Sequence, residues 1–161
     1  MIYFMDDRKL AAELRDGAVP SLNKFIYFML ATIWMLISSS ASFNAWDYEP
    51  PTRLDRFADL VVFVVSVLGF ILCYDINREG DDRDYIERVT CLGFPIFVQV
   101  TLLGGLIVVP GLLLRQYVYP EIEKDLVFFI ANLVVVPYSF WRLYTAIRIA
   151  AFPKPGPEKA I

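Results

Sequence analysis

The chain has 161 residues, 57% hydrophobic and 20% charged, with a formal net charge of −3 from 15 Lys and Arg against 18 Asp and Glu. A soluble domain usually carries about 45–50% apolar and about 25% charged residues, and here the charges fall in short clusters between long uncharged runs. This excludes a disordered chain, a nucleic-acid-binding domain and most water-soluble folds, and leaves a small all-α integral membrane protein.

Residues 1–24 are polar and form the first segment. Within it Asp6 to Asp16 reads as a short amphipathic helix, capped by Asp6 or Asp7, ended at Gly17 and followed by Pro20. Leu10, Ala11 and Leu14 share one face by the i, i+3, i+4 rule. That face can lie on a membrane surface or dock a partner, or the helix can be a solvated lead-in.

A four-helix bundle over 25–152 follows. About 20 apolar residues cross the hydrocarbon as a helix, and four runs approach or exceed that length: about 25–43, 57–76, 89–114 and 126–149. The first is read as a retained anchor, because acidic residues precede it and a cleaved signal wants a short basic start. It ends in a serine-rich stretch in which Ser38 and Ser42 share a face suited to close helix packing. The loop that follows carries Trp46, Tyr48 and the Pro50-Pro51 pair, which stiffen it. Asp59 is expected to cap the second span at its outer edge.

The loop from Asp75 to Arg88 begins like a calcium loop, with Asp75, Asn77, Glu79 and Gly80 in register. Position 12 is then Ile86 where a bidentate Glu is needed, so the pattern fails. The expectation is structural: Gly80 takes positive φ and ends span two, Asp81 or Asp82 caps span three, and Arg83–Glu87 and Asp84–Arg88 pair along the helix. Asp81, Asp82, Arg83, Asp84 and Arg88 together offer a surface on which a cytoplasmic partner could dock.

Span three carries Gln99, Thr101, Gly104 and Gly105, with Pro95 and Pro110 expected to kink it. Span four carries Asn132 and Pro137. Counted from the helix ends, Gln99 and Asn132 come to similar depths, so an interhelical amide pair or a polar patch lining a pore is expected, with Thr101 beside it. Arg142 and Arg148 are expected to snorkel to the membrane surface. The tail 153–161 reads as disordered.

Orientation follows from the basic residues. Arg8, Lys9, Arg15 and Lys24, then Arg78, Arg83 and Arg88, then Arg142, Arg148, Lys154 and Lys159 fall on one side, eleven against the four on the other: Arg53, Arg56, Arg115 and Lys124. The positive-inside rule places both termini in the cytoplasm, in a bacterial inner membrane.

The chemistry that catalysis would need is thin. There is no His, so the commonest general base is missing. Two cysteines, Cys73 and Cys91, do not make a zinc site without it and read as packing thiols. No cofactor is expected. The expected role is that of a non-catalytic subunit or accessory protein, of the assembly or immunity type, in contact with the lipid bilayer and with a second membrane protein or further copies of itself. The competing reading is a homo-oligomeric pore or a membrane-disrupting effector.

Overall fold

A computed structural model describes residues 2–3, 5–39, 53–119 and 124–153, apart from the side chains of 35–39, 55, 124 and 125. The described elements are five helices: α1 (Asp7–Arg15), α2 (Ser21–Ser39), α3 (Arg53–Glu79), α4 (Tyr85–Tyr117) and α5 (Lys124–Ala151). Three of them are long and apolar enough to cross a membrane, over Arg56–Glu79, Tyr85–Tyr117 and Leu126–Ala151. The expected span 25–43 runs beyond the described part of α2. Ser42, the loop aromatics Trp46 and Tyr48, and the tail from 154 lie outside the described residues.

Helix α1 begins where Asp6 accepts a hydrogen bond from the Lys9 backbone N–H at 3.0 Å, satisfying one of the donors a helix start leaves free. It ends at Gly17, whose φ of 65° is a conformation glycine adopts at no steric cost. Leu10, Ala11 and Leu14 are buried, and so is Asp7. The helix therefore lies neither on a free surface nor in solvent: it packs on α5 and α4. Tyr27 of α2 fixes the segment before it, since its hydroxyl accepts from the Tyr3 N–H at 2.6 Å.

The long helices stand in a row, with α2 on α4, α4 on α5 and α5 on α3. Glycine contacts give their register. Gly69 lies against Phe140 and Gly80 against Ala151, so α3 and α5 run parallel with an offset of 71 residues. Gly104 lies against Val135 and Gly111 against Val127, so α4 and α5 run antiparallel. The core gathers at one end of the row, where Cys73, Ile76, Cys91, Leu92, Ala146 and Ile147 are buried together with the α1 face.

Several local expectations are overturned. Gly80 is not in the left-handed region; Asp82 (φ 52°) and Asp84 (φ 49°) are, because a short Asp side chain tolerates that conformation. Gly80 is small for another reason, since a Cβ there would lie 2.7 Å from the Ala151 carbonyl oxygen. Helix α4 is capped by Asp84, without a side-chain hydrogen bond, rather than by Asp81 or Asp82. The helix spans Tyr85 to Tyr117, with Pro95 and Pro110 inside it. Asp59 does not cap α3, which starts six residues earlier at Arg53. Of the Gly104-Gly105 pair, Gly104 makes only an ordinary 3.7 Å approach and Gly105 meets nothing within 4 Å. The close approaches belong to Gly69, Gly80 and Gly111.

These contacts separate two kinds of glycine. Gly80→Val should destabilise the fold by about 1–3 kcal/mol, because the neighbouring backbone oxygen cannot yield. Gly105→Ala should stay within about 0.5 kcal/mol of the parent. Thermal unfolding in detergent, with helicity read by circular dichroism, checks both.

Candidate functional site

Among the described residues, a polar constellation with a buried carboxylate stands at the packed end of the row. Asp7 sits in the first turn of α1 and its side chain is only 3% exposed. An isolated carboxylate so placed would be costly. Three features offset that cost. The Arg142 guanidinium of α5 donates to Asp7 Oδ1 across 135 residues of sequence. The Gln99 amide of α4 lies 3.5 Å from the same oxygen and donates to the Met5 carbonyl at 3.1 Å. The positive end of the α1 dipole adds to both. Arg142 also donates to the Tyr138 hydroxyl at 3.3 Å.

Two residues expected elsewhere are thereby reassigned. Gln99 does not pair with Asn132. The antiparallel register sets Gln99 near the level of Phe140, and Asn132 eight residues farther along α5, about 12 Å away at 1.5 Å per residue. The two depths run from opposite ends of an antiparallel pair, Gln99 from one face and Asn132 from the other, so similar depths are different levels. Asn132 instead lines a shallow cleft between α3 and α5 with Ala58, Val61, Val62 and Pro137. Thr101 is exposed on α4. Arg142 does not snorkel outward; it turns in to Asp7, while Arg148 is exposed.

A second polar cluster holds the α3–α4 turn. Arg88 is 4% exposed and donates to both oxygens of Asp81, at 2.5 and 2.6 Å, and to Asn77 Oδ1 at 2.7 Å. Asn77 in turn donates to the Arg83 carbonyl at 3.3 Å, closing the turn on itself. The expected Asp84–Arg88 and Arg83–Glu87 pairs are replaced: Arg88 takes Asp81, and Glu87 takes Lys24 of α2 at 2.6 Å. The left-handed backbone at Asp82 and Asp84 turns Asp81 toward Arg88 and defeats the simple helical spacing. Asp81 and Arg88 are thus engaged within the chain, while Asp82, Arg83 and Asp84 remain exposed. The hydrogen bonds from Arg88 hold the Asp81 carboxyl below its ordinary range.

Cys73 and Cys91 are free and buried. Among the described residues no group of three or more His, Cys, Asp or Glu is placed to hold a metal.

The fold and these clusters define a helical protein with three membrane-length helices among the described residues, its buried charges held by partners within the chain. Comparison with protein-family models, curated proteins and solved structures finds no match.

Breaking the first cluster should be costly on one side only. Asp7→Ala leaves the Arg142 guanidinium without its carboxylate and should cost about 3 kcal/mol or more, whereas Asp7→Leu with Arg142→Met should recover much of that. Protease cleavage between α1 and α2, timed against global unfolding, reads the difference. The second cluster carries a pH signature. Asp81 is depressed in the folded state, so its contribution is present at neutral pH and lost as the pH falls through its folded range below about 4. Asp81→Asn should weaken the turn at pH 7 and flatten the acid limb of the stability profile.

Proposed function

We propose that the chain is a non-catalytic subunit or accessory protein of a membrane assembly, built as a four-span bundle with both termini in the cytoplasm of a bacterial inner membrane. Two charged levels support the placement. Arg53, Arg115 and Lys124 start or end their helices at one level by the glycine register. Asp7, Gln99 and Arg142 meet at another. Arg142 follows Lys124 by 18 positions on one helix, about 27 Å, close to the thickness of a bilayer core of about 30 Å. Tyr138, Trp141 and Tyr144 belong to the second level, where interfacial aromatics are favoured. What lies beyond it, including α1, the α3–α4 turn and the buried core, then stands at the cytoplasmic surface.

The observation that carries the functional reading is the internal pairing of the polar groups buried within the chain. Asp7, Gln99 and Arg142 hold one another, and Arg88, Asp81 and Asn77 do the same. A transporter or pore keeps such groups facing a path for its substrate. Here they fasten helices, which suits a protein that works by being bound.

Gentle extraction from the native host followed by native mass spectrometry tests this. The expected mass includes a second, reproducible polypeptide besides the 18.5 kDa chain. Recovery solely as copies of this chain that conduct ions in a planar bilayer overturns it.

A further inference from the structure

Helix α3 is the end of the row. Its stripe Ala58, Val62, Val65, Gly69, Cys73 and Ile76 has the spacing of a single helix face, and Gly69 on it meets Phe140 of α5. The opposite stripe, Arg56, Asp59, Leu60, Phe63, Val67 and Tyr74, is exposed throughout, with Leu60 at 58% and Phe63 at 65%. Apolar side chains on such a stripe are at home against lipid. Arg56 and Asp59 are not.

The register gives their depth. By the 71-residue offset Asp59 is level with Ile130 of α5, which faces about Val108–Val109 of α4. From there α4 continues outward through Val109 to Leu114 without a charge before it reaches Arg115. Asp59 therefore lies about 9 Å, and Arg56 about 4.5 Å, inside the charged level that marks the outer edge. Charged groups at such depth are expensive without a partner. Among the described residues neither has one, and although they stand at i, i+3 they do not pair with each other.

We propose that this face of α3 is a dimer interface between two copies of the chain, in which Arg56 of each copy pairs with Asp59 of the other. The pattern is self-complementary. A two-fold axis along the membrane normal keeps both copies in one orientation and brings residues of equal depth together. A cation and an anion one helical turn apart on parallel helices then meet their opposites reciprocally, and Leu60, Phe63 and Val67 continue the seam inward. A partner bearing one charge would satisfy only one of the two groups. The proposal uses the membrane placement above but does not require a foreign subunit.

Charge reversal tests it. Fluorescently labelled chains reconstituted in lipid vesicles report association by energy transfer as the protein-to-lipid ratio is varied. The wild type should associate. Arg56→Glu and Asp59→Arg should each weaken self-association by about tenfold or more, leaving like charges face to face. Mixing the two variants should restore transfer between them, since one then carries two acids and the other two bases. The double reversal in a single chain should associate with itself. A wild type that stays monomeric, single variants that associate like it, or a mixture that fails to recover overturns the proposal. Both residues are exposed, so helicity and thermal unfolding should be unchanged. A foreign polypeptide missing from the native extract would leave this result untouched, and absent self-association would leave that polypeptide's capture untouched.

Discussion

The pair of buried Asp7 and half-buried Arg142 is the contact on which the rest of the packed end depends. A carboxylate and a guanidinium removed from water lose hydration worth several kcal/mol each, and regain it only if their geometry is held. The holding is done by elements from three parts of the chain: α1 presents Asp7, α4 presents Gln99, and α5 presents Arg142 and Tyr138. The three elements are far apart in sequence. Satisfying Asp7 therefore docks α1, and docking α1 completes the core around Leu10, Ala11 and Leu14.

The same end explains why the helices are longer than a bilayer requires. Helix α4 has 33 residues, which is about 50 Å at 1.5 Å per residue and well beyond a bilayer core of about 30 Å. The excess is a cytoplasmic platform in the proposed placement. There water strengthens the hydrophobic drive that lipid cannot supply between helices, and the buried residues collect there. The membrane-level parts of α3, α4 and α5 remain largely exposed. Within them close contact rests on glycines, Gly69 against Phe140 and Gly111 against Val127.

Local patterns were legible in the sequence and long-range pairings were not. The limits of α1 followed from Asp6 and Gly17, and its buried face from Leu10, Ala11 and Leu14. Asp7 lies on that face at i, i+3, i+4, i+7 with them, a signal that a carboxylate was turned inward and needed a cation. Arg142, set inside an otherwise apolar run, was the matching signal. Reading each alone made one a cap and the other a snorkelling side chain. Gln99 and Asn132 went astray because similar depths taken from opposite ends of an antiparallel helix pair are different levels. Around Arg88 the helical spacing rule failed because two left-handed aspartates redirect the chain.

The distribution of paired and unpaired charge divides the molecule by purpose. At the cytoplasmic end of the proposed placement, buried charge is matched inside the chain, even at the cost of recruiting an N-terminal helix from 135 residues away. On the outer half of α3, Arg56 and Asp59 are left exposed beside a neighbour that is apolar at their depth. A chain able to match a buried carboxylate in this way had the simpler option of an apolar residue at either position. Two opposite charges one turn apart on the free edge of a helix row are instead what a parallel copy of that same edge would complement.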